Sequence, residues 1–99
     1  INNRYSIDST NISIGIVDDH EIVRFGIKRL LSQHKNFNII FECESVSSIP
    51  SPLESKIDIV ILDLSYSMGL CDLSCIDLVK SMLPDSKIIV FTMRLKTKR

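Results

Sequence analysis

Four short apolar runs divide the chain, and the residues between them are polar or have helical spacing. The runs cover Ile12–Asp18, Phe37–Cys43, Ile57–Asp63 and Lys87–Thr92. The first run is apolar on both faces except at Ser13, which is typical of a buried central strand. We therefore predict four β-strands along the chain.

Two of the intervals between these runs have helical periodicity. Apolar residues recur every three or four positions from about residue 20 to about residue 34, and again from residue 74 or 75 to about residue 83. Asp19 is placed to cap the first of these helices. Pro50 and Pro52 lie in the remaining interval, so any helix there is short or broken.

The alternation of strands and helices predicts the fold class. It implies βαβ units around a parallel sheet. We predict an α/β, flavodoxin-like, doubly wound parallel sheet with strand order 2-1-3-4. In that order the first and third strands are neighbours, and their carboxyl ends meet at one edge of the sheet.

Composition sets limits on the class of protein. The chain has 99 residues and a formal net charge of zero, so one domain is expected, without a whole-domain basic field for nucleic acid. No apolar run approaches the length of a membrane span, and the N-terminus has no signal-peptide pattern. We expect a cytoplasmic protein with no membrane partner, whose odd number of cysteines, 3, remain reduced thiols.

Acidic residues close two of the predicted strands. Asp18 and Asp19 end the first run, and Asp63 ends the third, while the hydroxyl residue Thr92 ends the fourth. Ligand sites in open α/β sheets lie just outside the carboxyl ends of the strands. Carboxylates gathered there repel one another, which favours a divalent cation and a phosphoryl acceptor. The alternative is that Asp18 and Asp19 only cap the following helix.

Three motifs in this order resemble the receiver domain of bacterial two-component response regulators, which has the CheY-like fold. The matching stretches are Ile16–His20, Ile61–Ser65 and Val90–Met93. Asp-Asp-His before a helix, and Asp-Leu-Ser after the third strand, resemble the NarL/FixJ group, whose members carry a LuxR-type DNA-binding domain. The stretch Asp18–Ile27 resembles the regulators of the Rcs phosphorelay. The resemblance covers roughly residues 12 to 93.

The resemblance implies a role for each matching residue. Asp63 would accept a phosphoryl group from a histidine kinase or a histidine phosphotransfer protein, and Thr92 would act as the switch that responds to it. Asp19 and Asp63 would bind Mg²⁺ directly, Asp18 would act through a water molecule, and the backbone carbonyl of Ser65 would complete the protein ligands. The chain would control transcription and would not be an enzyme, apart from Mg²⁺-dependent phosphorylation of its own Asp63.

Two departures from the family pattern qualify these expectations. Tyr66 and Ser67 stand where receivers carry Met-Pro, and nothing after Thr92 matches the fifth strand with its lysine or the DNA-binding domain. We therefore predict a polar N-terminal arm over residues 1–11 and an incomplete receiver over residues 12–99. DNA would be bound only through a C-terminal domain outside this chain.

The same departures leave other functions open. An uncovered fourth strand invites pairing with another chain, so we predict a homo-oligomer. One alternative is a shortened, phosphorylation-incompetent receiver that acts as a dimerisation or sequestration module. Another is a small phosphatase with an aspartate nucleophile, but such enzymes carry a second acid two residues later, where this chain has Ser65.

Overall fold

A parallel four-stranded sheet forms the centre of the molecule. The computed structural model describes residues 11–51, 53, 55–63 and 73–91. The elements in chain order are β1 (Ile12–Val17), α1 (Glu21–Leu31), β2 (Phe37–Cys43), a 3₁₀ turn (Val46–Ser48), β3 (Ile59–Asp63), α2 (Leu73–Met82) and β4 (Lys87–Phe91).

The strand order confirms the predicted fold class. The sheet has the order β2-β1-β3-β4, and every neighbouring pair is parallel. Because parallel crossovers are right-handed, α1 lies on one face of the sheet and α2 on the other. The predicted bounds of β2 agree with the structure, and the interval with the two prolines forms only the short 3₁₀ turn.

Two predicted boundaries were wrong: the start of the third strand and the end of the first helix. The third strand begins at Ile59 instead of residue 57. Asp58, just before it, still bonds to β1 through its backbone N–H, which donates to the Ser13 carbonyl at 2.9 Å, and through Oδ2, which accepts the Ser13 N–H at 2.8 Å. The first helix ends at Leu31, where the following residues form a tight turn closed by the N–H of His34 on the Leu31 carbonyl at 3.0 Å.

The start of that helix also differs from the prediction. His20, not Asp19, is the N-cap residue, and it makes no side-chain capping bond. Asp18 Oδ1 instead accepts the backbone N–H of His20 at 2.8 Å. The acid pair is therefore not a conventional helix cap, which removes the simplest structural alternative for Asp19.

The apolar core lies between the sheet and the face that carries the 3₁₀ turn and α2. Its members come from every layer of that side of the molecule: Val17, Phe41, Val46, Ile49, Ile57, Val60, Leu62 and Val79. The ring of Phe41 packs directly on Gly15, where an added Cβ would lie 2.2 Å from Phe41 Cζ. Only glycine allows this close approach between β1 and β2.

A β-bulge interrupts the pairing of β1 and β2 at the same place. Ile14 pairs with Ile39, but Gly15 pairs with Phe41, so Ile40 is an extra residue in β2. Side chains alternate between the two faces along a strand, and the extra residue shifts that alternation by one position.

Apolar side chains remain exposed on α1 and β4. Ile22 is 80% exposed and Phe25 58% exposed, whereas no residue of α1 is fully buried. In β4, Ile89 and Val90 are also exposed. Within the described residues β4 pairs only with β3, so its outer edge has no neighbouring strand there.

The cysteines do not all follow the expectation of reduced thiols. Cys75 is disulfide-bonded, and its partner lies outside the described residues, since Cys43 is free. Burial raises the pKa of the Cys43 thiol to about 11. The prediction of reduced thiols is therefore wrong for Cys75.

Several predicted features fall on residues that the structure does not describe. Ser65, Thr92, Tyr66 and Ser67 lie outside the described residues, as does almost all of the predicted N-terminal arm. Among the helices of the described part, none combines the length and the apolar character needed to cross a membrane.

Candidate metal and phosphoryl site

The register of the sheet brings Asp18 and Asp63 together. Val17 pairs with Leu62 across β1 and β3, so the residue that follows each of them lies at the same edge. Both carboxylate side chains are completely buried, at 0% exposure. Ligand atoms of Asp18, Asp19, His20 and Asp63 all lie within 4.8 Å of one another.

The two oxygens of Asp18 have different surroundings. Oδ1 accepts the backbone N–H of His20, whereas Oδ2 is buried and has no hydrogen-bond partner within the described part of the chain. Burial raises the pKa of this carboxyl, and the nearby Asp63 raises it further, while the backbone N–H of His20 opposes both effects. An oxygen in this position fits an oxygen-seeking cation.

The imidazole of His20 lies among the same carboxylates. Its Nδ1 atom is 2.9 Å from Asp19 Oδ1, 3.2 Å from Asp18 Oδ1 and 3.7 Å from Asp63 Oδ2. The hydrogen bond to Asp18 and the charge of Asp19 raise the pKa of His20. A positively charged ring would therefore partly offset the repulsion between the acids when no cation is bound.

Arg24 supports the loop that carries the acid pair. Its side chain is only 14% exposed, and its Nη1 atom donates to the backbone carbonyl of Asp18 at 2.7 Å. Nε of the same guanidinium donates to Glu42 Oε1 at 3.0 Å. Lys28 also bonds to Glu42, and this hydrogen bond is the main reason that the pKa of Glu42 is lowered.

This arrangement brings together the three acids that the sequence predicted, and it places two further residues, His20 and Arg24, beside them. Asp18, Asp19 and Asp63 converge as expected, while Ser65 and Thr92 cannot be placed because they lie outside the described residues. His20 and Arg24 were not among the site residues predicted from the sequence. Their spacing was the available signal, since Arg24 follows His20 by four residues, or one helical turn.

The chemistry available to this cluster follows from its ligands. Mg²⁺ binds oxygen ligands at about 2.0–2.1 Å and is usually held by one or two carboxylates. A carboxylate can also act as a nucleophile toward phosphorus. Asp63 terminates its strand beside the other acids, so it combines both properties at one edge of the sheet.

Comparison with known proteins gives the family. No protein-family model matches the chain. The non-phosphorylated receiver domain of the stress response regulator RcsB from Escherichia coli is 30% identical, with a TM-score of 0.71, and the match covers 88% of this chain and 69% of that domain. This chain belongs to the response regulators. It is a receiver domain of the NarL/FixJ type, as its motifs predicted.

Two further relatives of this receiver support the assignment. The oxygen regulatory protein NreC from Staphylococcus epidermidis is 31% identical over 83 residues, which are 83% of this chain and 38% of NreC. RcsB from Salmonella enterica serovar Typhimurium, bound to promoter P1flhDC in the presence of the phosphomimetic BeF3-, is 32% identical, with a TM-score of 0.72; the match covers 85% of this chain and 43% of RcsB. The receiver therefore spans well under half of the length of NreC, and these relatives are regulators rather than classical enzymes.

Proposed function

We propose that this receiver accepts a phosphoryl group on Asp63 from a histidine kinase or a histidine phosphotransfer protein and thereby controls transcription in the cytoplasm. The observation that carries the proposal is the position of Asp63. Its buried carboxylate ends β3 directly beside the acid pair that follows β1. The phosphomimetic in the RcsB structure supports the same chemistry by analogy.

The proposed transfer exchanges one phosphorus bond for another. A carboxylate oxygen of Asp63 attacks the phosphorus of a phosphohistidine, the new O–P bond forms as the N–P bond breaks, and the electron pair stays on the imidazole nitrogen, which then takes a proton. Asp18, Asp19 and Asp63 would hold Mg²⁺, together with the Ser65 carbonyl. When bound, the cation offsets the charge repulsion between the carboxylate and the phosphoryl oxygens.

The residues of the site have distinct tasks in this proposal. Arg24 holds the Asp18 carbonyl, and so keeps the acid pair at the edge of the sheet. Thr92 would sense the modification, since a phosphoryl group adds about −1.5 to −2 charges and strong hydrogen-bond acceptors. Such a local change in charge can shift a two-state surface.

Intact-mass measurement tests the transfer. The folded chain is incubated with Mg²⁺ and acetyl phosphate, and we expect it to gain one phosphoryl group. Asp63→Ala should gain none, whereas Asp77→Ala, which removes an exposed carboxylate from α2, should behave as the wild type. A folded wild-type chain that stays unmodified, or an Asp63→Ala variant that is modified equally, would contradict the proposal.

The exposed apolar residues of β4 favour a homo-oligomer, either alongside phosphorylation or as the chain's main role. Ile89 and Val90 lie on the strand whose outer edge is unpaired among the described residues. We propose that a second copy adds to this edge. Sedimentation over a concentration series should show a dimer that Ile89→Lys weakens, and a monomer at every concentration would exclude it.

We propose that the receiver itself does not contact DNA. RcsB is bound to its promoter as a longer protein, of which this chain matches 43%. The chain has a formal net charge of zero, so it has no whole-domain basic field that would attract DNA. We therefore propose that the receiver acts on DNA only through a C-terminal LuxR-type domain.

A further inference from the structure

We propose that His20 is a direct metal ligand, so that this site binds first-row transition ions such as Co²⁺ more tightly than three carboxylates alone would. The inference rests on the proposed cation site and adds a nitrogen ligand to it. Four residues with suitable donor atoms, not three, converge at the edge of the sheet.

The distances between donor atoms carry the argument. Bonds of about 2.0–2.2 Å from a cation place adjacent ligands about 2.8–3.6 Å apart, across octahedral and tetrahedral geometry. His20 Nδ1 lies 2.9 Å from Asp19 Oδ1 and 3.2 Å from Asp18 Oδ1, which are separations of this size. The third separation, 3.7 Å to Asp63 Oδ2, lies just beyond this range.

A second observation independently indicates a ligand at this position. Asp18 is completely buried, and its Oδ2 atom has no hydrogen-bond partner within the described ranges. A buried carboxylate oxygen without a partner is costly, and coordination of a cation would satisfy it. Asp18 Oδ2 belongs to the same carboxylate that contacts the His20 imidazole, so one ion can reach both the carboxylate and the imidazole.

The mixture of donor atoms determines which ions gain. Mg²⁺ prefers oxygen ligands, whereas imidazole suits Co²⁺, Ni²⁺, Cu²⁺ and Zn²⁺. A site with one nitrogen and several carboxylate oxygens therefore keeps its affinity for Mg²⁺ through the acids and gains affinity for the transition ions through His20. His20→Ala is a suitable test variant, because the His20 side chain makes no helix-capping bond that the substitution would remove.

Two other side chains in the described part serve as controls for metal binding outside the carboxylate cluster. His34 is exposed, and its ring contacts Phe37 at a tilted angle, with ring centroids 5.1 Å apart, away from the acids. Cys43 is half-buried, and burial holds its thiol in the protonated form, which is a poor ligand. Co²⁺ binding that depends on His34 or Cys43 would not involve the carboxylate cluster.

The experiment compares Co²⁺ and Mg²⁺ binding to the whole chain by calorimetry, in mildly alkaline buffer so that imidazoles are neutral. In His20→Ala we expect Co²⁺ affinity to fall at least about tenfold, since even the loss of an outer-shell group costs about 10–100-fold. Mg²⁺ affinity should not fall, and His34→Ala should leave both affinities unchanged. In ¹⁵N-histidine-labelled protein, Co²⁺ should shift the ring signals of His20 far more than those of His34.

The outcomes separate this inference from the proposed function. Unchanged Co²⁺ affinity in His20→Ala, or a parallel fall for both ions, would overturn the ligand role of His20 and leave the carboxylate site standing. A folded wild-type chain that binds neither ion would overturn both. Asp63→Ala should weaken both ions together, because its carboxylate serves either cation.

Discussion

Replacement of Gly15 by alanine should destabilise the fold by a predictable amount. The added Cβ would lie 2.2 Å from Phe41 Cζ and 2.4 Å from Cε2, while ordinary contacts begin at 3.4 Å. The ring must therefore retreat by about 1.2 Å, the difference between 3.4 and 2.2, from a position that is only 7% exposed. Overpacking of this kind costs about 1–3 kcal/mol.

Thermal and urea unfolding measure the effect. For a domain of this size, a loss of 1 kcal/mol lowers the Tm by about 4–8 °C. Gly26→Ala is the matched control, since nothing lies within 4 Å of an added Cβ there. It should instead raise the free energy of unfolding by about 0.5–1 kcal/mol, because glycine is a poor residue inside a helix.

A double-mutant cycle tests whether contact with the Phe41 ring causes the loss of stability. If the Phe41 ring is what the methyl group meets, Phe41→Leu should recover part of the loss from Gly15→Ala, with a coupling energy of about 0.5–3 kcal/mol. Strict additivity of the two changes, or a Gly15→Ala variant as stable as the wild type, would refute the reasoning.

Three further predictions concern the site. Arg24→Met should lower the free energy of unfolding by about 1.5–3 kcal/mol and weaken Mg²⁺ binding, because it removes the donor to the Asp18 carbonyl. Lys28→Met should lower the free energy of unfolding by at most about 1 kcal/mol. Urea unfolding and calorimetry distinguish the two variants, and equal losses would contradict the role of Arg24. The pKa values of Asp18 and His20 are raised in the folded chain, so these two groups bind more protons there, whereas Glu42, whose pKa is lowered, binds fewer. Asp18 and Glu42 oppose each other near their ordinary values of 3.8 and 4.5, so metal-free stability should fall clearly as pH rises above 6.5, the ordinary value of His20; a Tm that rises there would refute it. Mg²⁺ at about 100 times its Kd should raise the free energy of unfolding by about 2.7 kcal/mol. Asp18→Asn should raise the metal-free Tm but abolish most of the stabilisation by Mg²⁺. Full stabilisation by Mg²⁺ in Asp18→Asn would show that Asp18 is not needed for cation binding.

The sheet was predictable because its strands are marked by composition. The alternation of apolar runs with helical intervals predicted the strand order, and the acidic residues that end two of the runs predicted the edge at which Asp18 and Asp63 meet. The exact start of β3 was less predictable. Asp58 continues the apolar alternation and its backbone bonds to Ser13 and Lys87, yet the strand begins at Ile59. Its carboxylate also accepts the backbone N–H of Ser13, a contact that the sequence pattern does not show.

The candidate site was predicted in its acids but not in its supporting residues. The ring orientation of His20 depends on the turn between β1 and α1, which spacing alone does not specify. The position of the Arg24 guanidinium depends on Glu42, which lies in β2, 18 positions further along the chain. Pairwise contacts of this kind leave no periodic trace in a single sequence.

The extra residue in β2 has a consequence for how this domain tolerates change. Because Ile40 is inserted after the Ile14–Ile39 pair, Phe41 shares a face with Gly15, and Glu42 points to the helix that carries Arg24. If the same residues paired without the bulge, Ile40 would lie opposite Gly15 and both side chains would be inverted, sending the carboxylate into the apolar layer and the ring toward the helix. The bulge on the far side of β1 thus decides whether the guanidinium beside the acid pair keeps its counter-ion.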